Sequence, residues 1–147
     1  MLLVSSCLCG EKCKYNGSDN WNQQVVEYCK DKEVIRICPE VMGGLSTPRN
    51  PAEIVGGKAE DVFRGKAKVM DCKENDVTEA FVKGARAVLE LTKAHEITEA
   101  ILKANSPSCG KGQVYNGKFE GRKVEGNGLT AQLLLEAGVT VKTEEEV

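Results

Sequence analysis

The sequence lacks a long apolar run and lacks an excess of charge of either sign. No stretch approaches the roughly 18 apolar residues of a membrane-spanning helix, and the apolar start Met1 to Val4 is too short for a secretory signal. Lys and Arg number 20 against 22 Asp and Glu, which gives a formal net charge of −2. We therefore expect a cytoplasmic protein without a membrane partner, and nucleic acid is disfavoured as a partner.

Cysteine is too scarce for a disulfide scaffold, and histidine is nearly absent. Seven cysteines among 147 residues fall below the roughly 8–10% typical of such scaffolds, and an odd number cannot pair completely. We therefore expect free thiols in a reducing compartment. The only histidine, His95, follows an amphipathic segment, and it is most simply a favourable charge at a helix C-terminus rather than a catalytic group.

Strand and helix patterns alternate along the chain. Short apolar runs predict strands at residues 1–6, 34–37, 66–71, 99–102 and 139–141. Helical periodicity predicts helices at residues 19–32, from Asp76 or Thr78 past Leu89, and at 129–136. This alternation predicts one α/β domain over residues 1–147, with a three-layer, Rossmann-like architecture and a mainly parallel sheet.

Two stretches carry no clear periodicity. Residues 41–65 are rich in glycine and contain two prolines, so they predict a long ordered loop rather than regular structure. Glycines also interrupt residues 112–128, where the sequence predicts an irregular hairpin.

Three predicted strands lead into cysteines, Cys7, Cys38 and Cys109. The binding crevice of an open parallel sheet lies beyond the carboxyl ends of its strands, so these distant residues are expected to meet at one rim. The paired ligand spacing of zinc sites and the Cys-x2-Cys-x2-Cys run of bacterial ferredoxins are both absent. A cubane cluster held by three cysteines, with one iron open as a Lewis acid, fits better. Core packing is the alternative, because free cysteine is often buried.

The other cysteines divide by their surroundings. Cys29 shares an apolar stripe with Trp21, which predicts core packing, and Cys72 lies between charged residues at the end of a predicted strand. Cys9 and Cys13 lie in the loop after the first strand. Cys13 is an alternative or exchangeable ligand, or a thiol beside the substrate, and spacing alone does not decide between these roles.

Polar residues beside the cysteines supply candidate catalytic and binding groups. Glu40 is placed to activate water or carry a proton, and pairing with Arg49 is its structural alternative. Ser106 and Ser108 can each hold a water or relay a proton, or simply make the turn before the third cysteine. Gly44 together with Arg49 indicates an anion-binding backbone nest.

Six segments, in chain order, resemble those of the thiouracil desulfidases. They are Val4-Ser5-Ser6-Cys7-Leu8, Cys13-Lys14-Tyr15-Asn16-Gly17, Cys38-Pro39-Glu40-x-x-Gly43-Gly44-Leu45, Pro48-Arg49-x-Pro51-Ala52-Glu53, Leu102-Lys103-x-x-Ser106-Pro107-Ser108-Cys109-Gly110 and Tyr115-x-Gly117-x-Phe119. The resemblance extends from the first predicted strand to the acidic end of the chain. Several linked motifs in one order are more specific than any one of them.

The resemblance implies a [4Fe-4S] cluster and an enzyme that removes sulfur from thiolated pyrimidines by C–S hydrolysis without net redox change. The cluster ligands would be Cys7, Cys38 and Cys109, and the catalytic groups would be Glu40 and Ser106. Thiocarbonyl sulfur would bind the open iron while Glu40, through Ser106, deprotonates water for attack on the carbon. Sulfur would be captured as a [4Fe-5S] species and released as sulfide.

The chain departs from the family pattern at two positions, and two other functions are also compatible with the sequence. Ser6 stands where the family often has alanine, and Cys9 stands where it usually has an apolar residue, so the iron ligand of the first loop is not uniquely fixed. The same open iron would also suit a sulfurtransferase or sulfide carrier that delivers sulfur to an acceptor. A non-catalytic, zinc-stabilised binding module is the remaining alternative.

Overall fold

The computed structural model describes all residues from 1 to 147. Its strands and helices are β1 (Leu2–Ser5), α1 (Gln23–Cys29), β2 (Val34–Ile37), α2 (Pro39–Met42), β3 (Ala52–Val55), α3 (Ala59–Phe63), β4 (Lys68–Asp71), α4 (Thr78–Ala94), β5 (Glu99–Leu102), β6 (Gln113–Tyr115), β7 (Lys123–Glu125), α5 (Leu129–Glu136) and β8 (Thr140–Thr143). None of the helices combines the length and apolar character that a membrane span requires.

A four-stranded parallel sheet with the order β2-β1-β5-β8 forms the centre of the fold. Successive side chains of a strand point to opposite faces, and here both faces are covered. Leu3 and Leu102 lie in the apolar core formed with α4 and α5, whereas Val4 and Ile101 lie in the core formed with α1. The prediction of a three-layer, Rossmann-like α/β fold with a mainly parallel sheet is confirmed.

The helix α4 follows the predicted apolar stripe. Phe81, Ala85 and Val88 are buried at spacings of three and four residues, which keeps them on one face of the helix. The helix ends at Ala94, and His95 follows directly, as the sequence predicted. This long helix covers one face of the sheet and provides the surface on which α2 is placed.

Residues 41–65 differ from the prediction of an irregular loop. They contain the end of α2, the strand β3 and the helix α3, and β3 pairs antiparallel with β4 in a second sheet. Each of these elements has only four or five residues, too few for a periodic pattern to stand out. Burial of Ile54, Val62 and Val69 around Phe81 stabilises them, and that contact is invisible in the local sequence.

The first helix and the hairpin were predicted with different success. The hairpin is present as β6 and β7, which pair antiparallel. The helix α1 begins later than predicted, because Asn22 rather than Asp19 caps it by accepting a hydrogen bond from the backbone N–H of Val25. Trp21 therefore lies before the helix, and its side chain is 54% exposed instead of sharing a buried stripe.

The helices α2 and α4 approach each other so closely that glycine stands on both sides of the contact. Gly43 directly follows α2, and Gly84 lies within α4. A Cβ at Gly84 would lie 1.9 Å from the carbonyl oxygen of Pro39, and a Cβ at Gly43 would lie 1.9 Å from that of Ala80. Any larger residue must push the two backbones apart. Because α2 carries Glu40 and directly follows Cys38, this contact also fixes the position of two candidate site residues.

Gly84→Ala is therefore expected to lower the free energy of unfolding by about 3 kcal/mol, the upper range for overpacking, despite the better helix propensity of alanine. The measurement is denaturant unfolding followed by far-UV circular dichroism. Lys83→Ala is the matched control, because Lys83 is exposed on the same helix and should change stability by less than about 0.5 kcal/mol. Equal midpoints for Gly84→Ala and wild type would contradict the close backbone contact.

Candidate functional site

The three strand-end cysteines line one cavity of about 640 Å³ beside the carboxyl edge of the central sheet. Cys7 follows β1, Cys38 follows β2, and Cys109 lies in the loop after β5. These three strands are neighbours in the sheet, so their loops leave from one edge. The cavity volume lies within the range of small-molecule and cofactor sites.

Local structure explains how each cysteine is held. Cys7 lies in a 3-10 turn that ends at Gly10 in a left-handed conformation, with φ of 94°. Cys38 is the N-cap residue of α2, and Pro39 takes the first helical position, where its missing N–H costs nothing. The Cys109 backbone N–H donates to Ser106 Oγ over 2.8 Å, which fixes the turn before α5.

Cys109 is the most deeply buried of the three thiols. Burial raises the pKa of Cys109 to about 12, and a hydrogen bond from Ser5 acts in the opposite direction. The Ser5 hydroxyl oxygen lies 3.5 Å from its sulfur. This burial therefore favours the neutral thiol form of Cys109.

A fourth cysteine, Cys13, lies against two of the three ligand candidates, Cys7 and Cys38. Its hydrogen bond lowers the pKa of Cys38 to about 7, and the backbone N–H of Val41 acts in the same direction. Cys13 also lowers the pKa of Cys7, which receives a second hydrogen bond from the Asn20 amide over 3.4 Å. Holding the shared proton raises the pKa of Cys13 itself. The Cys13 thiol thus acts as a hydrogen-bond donor toward Cys7 and Cys38 and makes both of them more acidic than an ordinary cysteine.

The donor arrangement matches a cluster better than a single metal ion. No group of three or more His, Cys, Asp or Glu side chains converges tightly enough to hold one ion. A zinc ion requires sulfur ligands at about 2.3 Å from a single point. In a cubane cluster each cysteine binds a different iron, so thiols placed around the wall of one cavity are a suitable set.

Glu40 lies in the first turn of α2 and uses both carboxylate oxygens. Arg49 Nε donates to Glu40 Oε1 over 3.0 Å, and Ser108 Oγ donates to Glu40 Oε2 over 3.0 Å. The Arg49 side chain is only 8% exposed, and its Nη2 also donates to the Cys13 carbonyl oxygen over 2.9 Å. Arg49 is thus committed to holding the carboxylate and the cysteine loop in place.

Comparison with known proteins places this arrangement in a family. A family model described as 2-thiouracil desulfurase matches residues 2–146. The chain belongs to the 2-thiouracil desulfurase family. Among its relatives is the Bacillus subtilis (strain 168) protein called "Uncharacterized protein YbbK", which is 48% identical over 147 residues, covering 100% of this chain and 97% of that protein.

A solved structure supports the same assignment. The [4Fe-4S]-dependent thiouracil desulfidase TudS is 37% identical in sequence, with a TM-score of 0.85. The match covers 99% of this chain and 91% of the other. The resemblance inferred from the six motifs is therefore confirmed, and this member of the 2-thiouracil desulfurase family shares the fold of a structure whose description names a [4Fe-4S] cluster.

The two serines near Cys109 have different contacts in this family member. Ser108 is buried and is the serine that donates to Glu40. Ser106 Oγ lies 3.3 Å from Ser108 Oγ and accepts the backbone N–H groups of Ser108 and Cys109. The family resemblance implied Ser106 as the catalytic serine, and in the structure Ser106 reaches Glu40 only through Ser108.

The predicted anion nest at Gly44 is wrong. Its N–H donates to the Val41 carbonyl oxygen over 3.0 Å, and the N–H groups of Gly43 and Leu45 likewise donate to carbonyls of α2. Gly44 has a φ of 98° at the end of this short helix and does not line the cavity. Its left-handed conformation serves the helix end, and the N–H groups of Gly43, Gly44 and Leu45 are not free to bind an anion.

The remaining cysteines, Cys9, Cys29 and Cys72, lie apart from the group formed by Cys7, Cys13, Cys38 and Cys109. Cys9 and Cys29 pack against the same apolar cluster on the side of the sheet covered by α1, and neither lines the cavity. Cys72 is exposed, as predicted, and lies at the edge of the cavity. Cys7 and Cys13 are therefore the two cysteines of the first loop that line the cavity.

Sequence reasoning missed part of the cavity wall. Glu53 from β3 and the aromatic residues Tyr15, Tyr115 and Phe119 also line it. All four belong to segments that carried the family resemblance, but they lie in loops or very short strands without periodicity. The motif pattern was the only available signal for them.

Proposed function

We propose that this chain is a [4Fe-4S]-dependent desulfidase that removes sulfur from 2-thiouracil or a related small thiolated pyrimidine by hydrolysis. The observation that carries the proposal is the shared cavity, where three strand-end cysteines meet the Glu40–Ser108 pair. Membership of the 2-thiouracil desulfurase family and the likeness to a [4Fe-4S]-dependent thiouracil desulfidase support it.

Cys7, Cys38 and Cys109 are the residues that would hold the cluster, and three ligands leave one iron without a protein side chain. When bound, such a cluster supplies an open Lewis acid for the thiocarbonyl sulfur of the substrate. Cys13 lies beside two of these ligands, and its thiol hydrogen-bonds to their sulfurs. It remains the alternative ligand that the sequence suggested.

Glu40 is the proposed general base. Each carboxylate oxygen has two acceptor sites, so the hydrogen bonds from Arg49 and Ser108 leave room for a water molecule. Those two donors orient the carboxylate, which accepts the proton of the water that attacks the substrate carbon. The hydroxyl contact from Ser108 to Ser106 extends this polar chain along the cavity wall.

The direct test is turnover by protein produced and reconstituted without oxygen. Incubation with 2-thiouracil should release sulfide and uracil in equal amounts, measured by colorimetric sulfide analysis and by chromatography. Protein with a full complement of iron and acid-labile sulfide that releases neither product would contradict the proposal. Transfer of the sulfur to an added acceptor thiol instead of release as sulfide would indicate a sulfurtransferase.

A further inference from the structure

Glu53 is a buried carboxylate that borders the cavity and that the proposed reaction does not use. Glu53 is only 8% exposed. One oxygen, Oε1, accepts the backbone N–H groups of Gly117 over 2.9 Å and of Phe119 over 3.3 Å. The other oxygen, Oε2, accepts no hydrogen bond in the protein and is not completely buried, and Glu53 is one of the residues that line the cavity.

The hydrogen bonds of Glu53 fix the tip of the β6–β7 hairpin against β3. Gly117 must be glycine there, because its φ is 88° and a Cβ would lie 2.4 Å from the Ile54 carbonyl oxygen. Phe119 also adopts a left-handed φ of 54°, which is unusual for an aromatic residue. This strained backbone holds the Phe119 ring at the cavity, where it is 39% exposed.

No cation of the cavity wall neutralises Glu53. Arg49 is paired with Glu40, Lys103 Nζ is paired with Glu144 over 2.8 Å, and Lys14, the third cation of the wall, forms no salt bridge with Glu53. An ionised carboxylate only accepts hydrogen bonds, and burying one is costly unless donors satisfy it. The free Oε2 is therefore an acceptor available to a ligand that brings its own N–H or O–H donor.

A thiolated pyrimidine base has such a donor, because a ring N–H lies beside its thiocarbonyl carbon. Its flat ring also matches an aromatic face, and orientation by a few polar groups in an otherwise apolar wall is the usual design of small-molecule sites. We propose that Glu53 Oε2 accepts a ring N–H of the substrate while Phe119 packs on the face of the ring. This inference rests on the proposed function and assigns the part of the cavity that selects the pyrimidine.

The test compares Glu53→Gln with wild type, both reconstituted without oxygen. The glutamine oxygen can keep the hydrogen bonds of Gly117 and Phe119, but its NH₂ group opposes the substrate N–H. Uracil affinity, measured by calorimetry, should fall about tenfold or more, as expected for the loss of a hydrogen bond to a charged group. KM for 2-thiouracil should rise by a similar factor, while kcat should change far less.

N-methylated substrates provide a second measurement that does not depend on the folding of a variant. Wild type should discriminate about tenfold or more between 1-methyl-2-thiouracil and 3-methyl-2-thiouracil, because only one of the two methyl groups removes the recognised N–H. Glu53→Gln should lose this discrimination. Glu120→Gln is the matched control, since Glu120 is exposed on the same hairpin and bonds only Asn116.

The inference and the proposed function fail separately. Unchanged uracil affinity in Glu53→Gln, or equal turnover of both methylated substrates by wild type, would overturn the role of Glu53 and leave the desulfidase assignment standing. Wild type that binds uracil through Glu53 but releases no sulfide would support the recognition site and contradict the proposed function. Phe119→Leu should weaken uracil binding while the Glu53 hydrogen bonds remain intact. Unchanged uracil affinity in Phe119→Leu would contradict the proposed packing of Phe119 on the ring.

Discussion

Replacing Cys38 with serine is expected to abolish cluster binding. The variant, reconstituted without oxygen, should contain less than about a tenth of the iron and acid-labile sulfide of wild type. Losing even a residue that only hydrogen-bonds to a metal ligand commonly costs roughly 10- to 100-fold in metal affinity, and the loss of a ligand itself should cost more. Cys38 has a pKa of about 7, so it supplies a thiolate near neutral pH, and a serine hydroxyl cannot replace it as a soft ligand. Iron analysis and the visible absorption of the cluster measure the effect.

Two further variants make this expectation specific. Cys29→Ser is the matched control, because Cys29 is a partly buried thiol outside the cavity and its loss should leave the iron content unchanged. The iron content of Cys13→Ser shows whether Cys13 binds the cluster or only lies beside its ligands. Iron loss in Cys13→Ser equal to that in Cys38→Ser would make Cys13 a ligand, and a Cys38→Ser protein with full iron content would contradict the proposed ligand set.

The cysteine constellation was accessible from sequence because it depends on a simple rule. Apolar runs located β1, β2 and β5, and the carboxyl ends of parallel strands share one edge of the sheet. Cys7 and Cys38 directly follow their strands, so an error of one or two residues in a strand boundary does not move them. Cys109 lies farther from its strand, and its place in the cavity depends on the turn made by Ser106.

Other parts of the site depend on contacts that no local pattern encodes. The turn before Cys109 determines whether the hydroxyl of Ser106 or that of Ser108 reaches Glu40. Ser108 and Glu40 are 68 residues apart in the sequence, so no local pattern shows this contact. Glu53 meets the hairpin across 64 residues, and its strand is too short to show alternation. The glycine pair at Gly44 suggested an anion site, but the same pair also suits a helix end, and the sequence does not distinguish these uses.

Glu40→Gln is expected to keep the cluster and lose most of the turnover. Glutamine retains the size of the side chain, its oxygen can accept the hydrogen bond from Arg49, and its NH₂ group can donate to the Ser108 hydroxyl oxygen. The nearly buried guanidinium therefore keeps a partner, and iron content should equal that of wild type. An amide cannot accept the proton of the attacking water, and general base catalysis contributes roughly 10²- to 10⁴-fold. We therefore expect kcat for 2-thiouracil to fall by about that factor.

The control for this variant is Glu90→Gln, which removes the same charge from an exposed position on α4. It should retain both iron and full activity. Because Glu40 is held by Ser108, Ser108→Ala should retain iron and reduce kcat less than Glu40→Gln does, since the base persists but loses one orienting donor. A Glu40→Gln protein with full iron content and wild-type kcat would show that another group deprotonates the water, and Glu40 would then only anchor Arg49 and the cysteine loop.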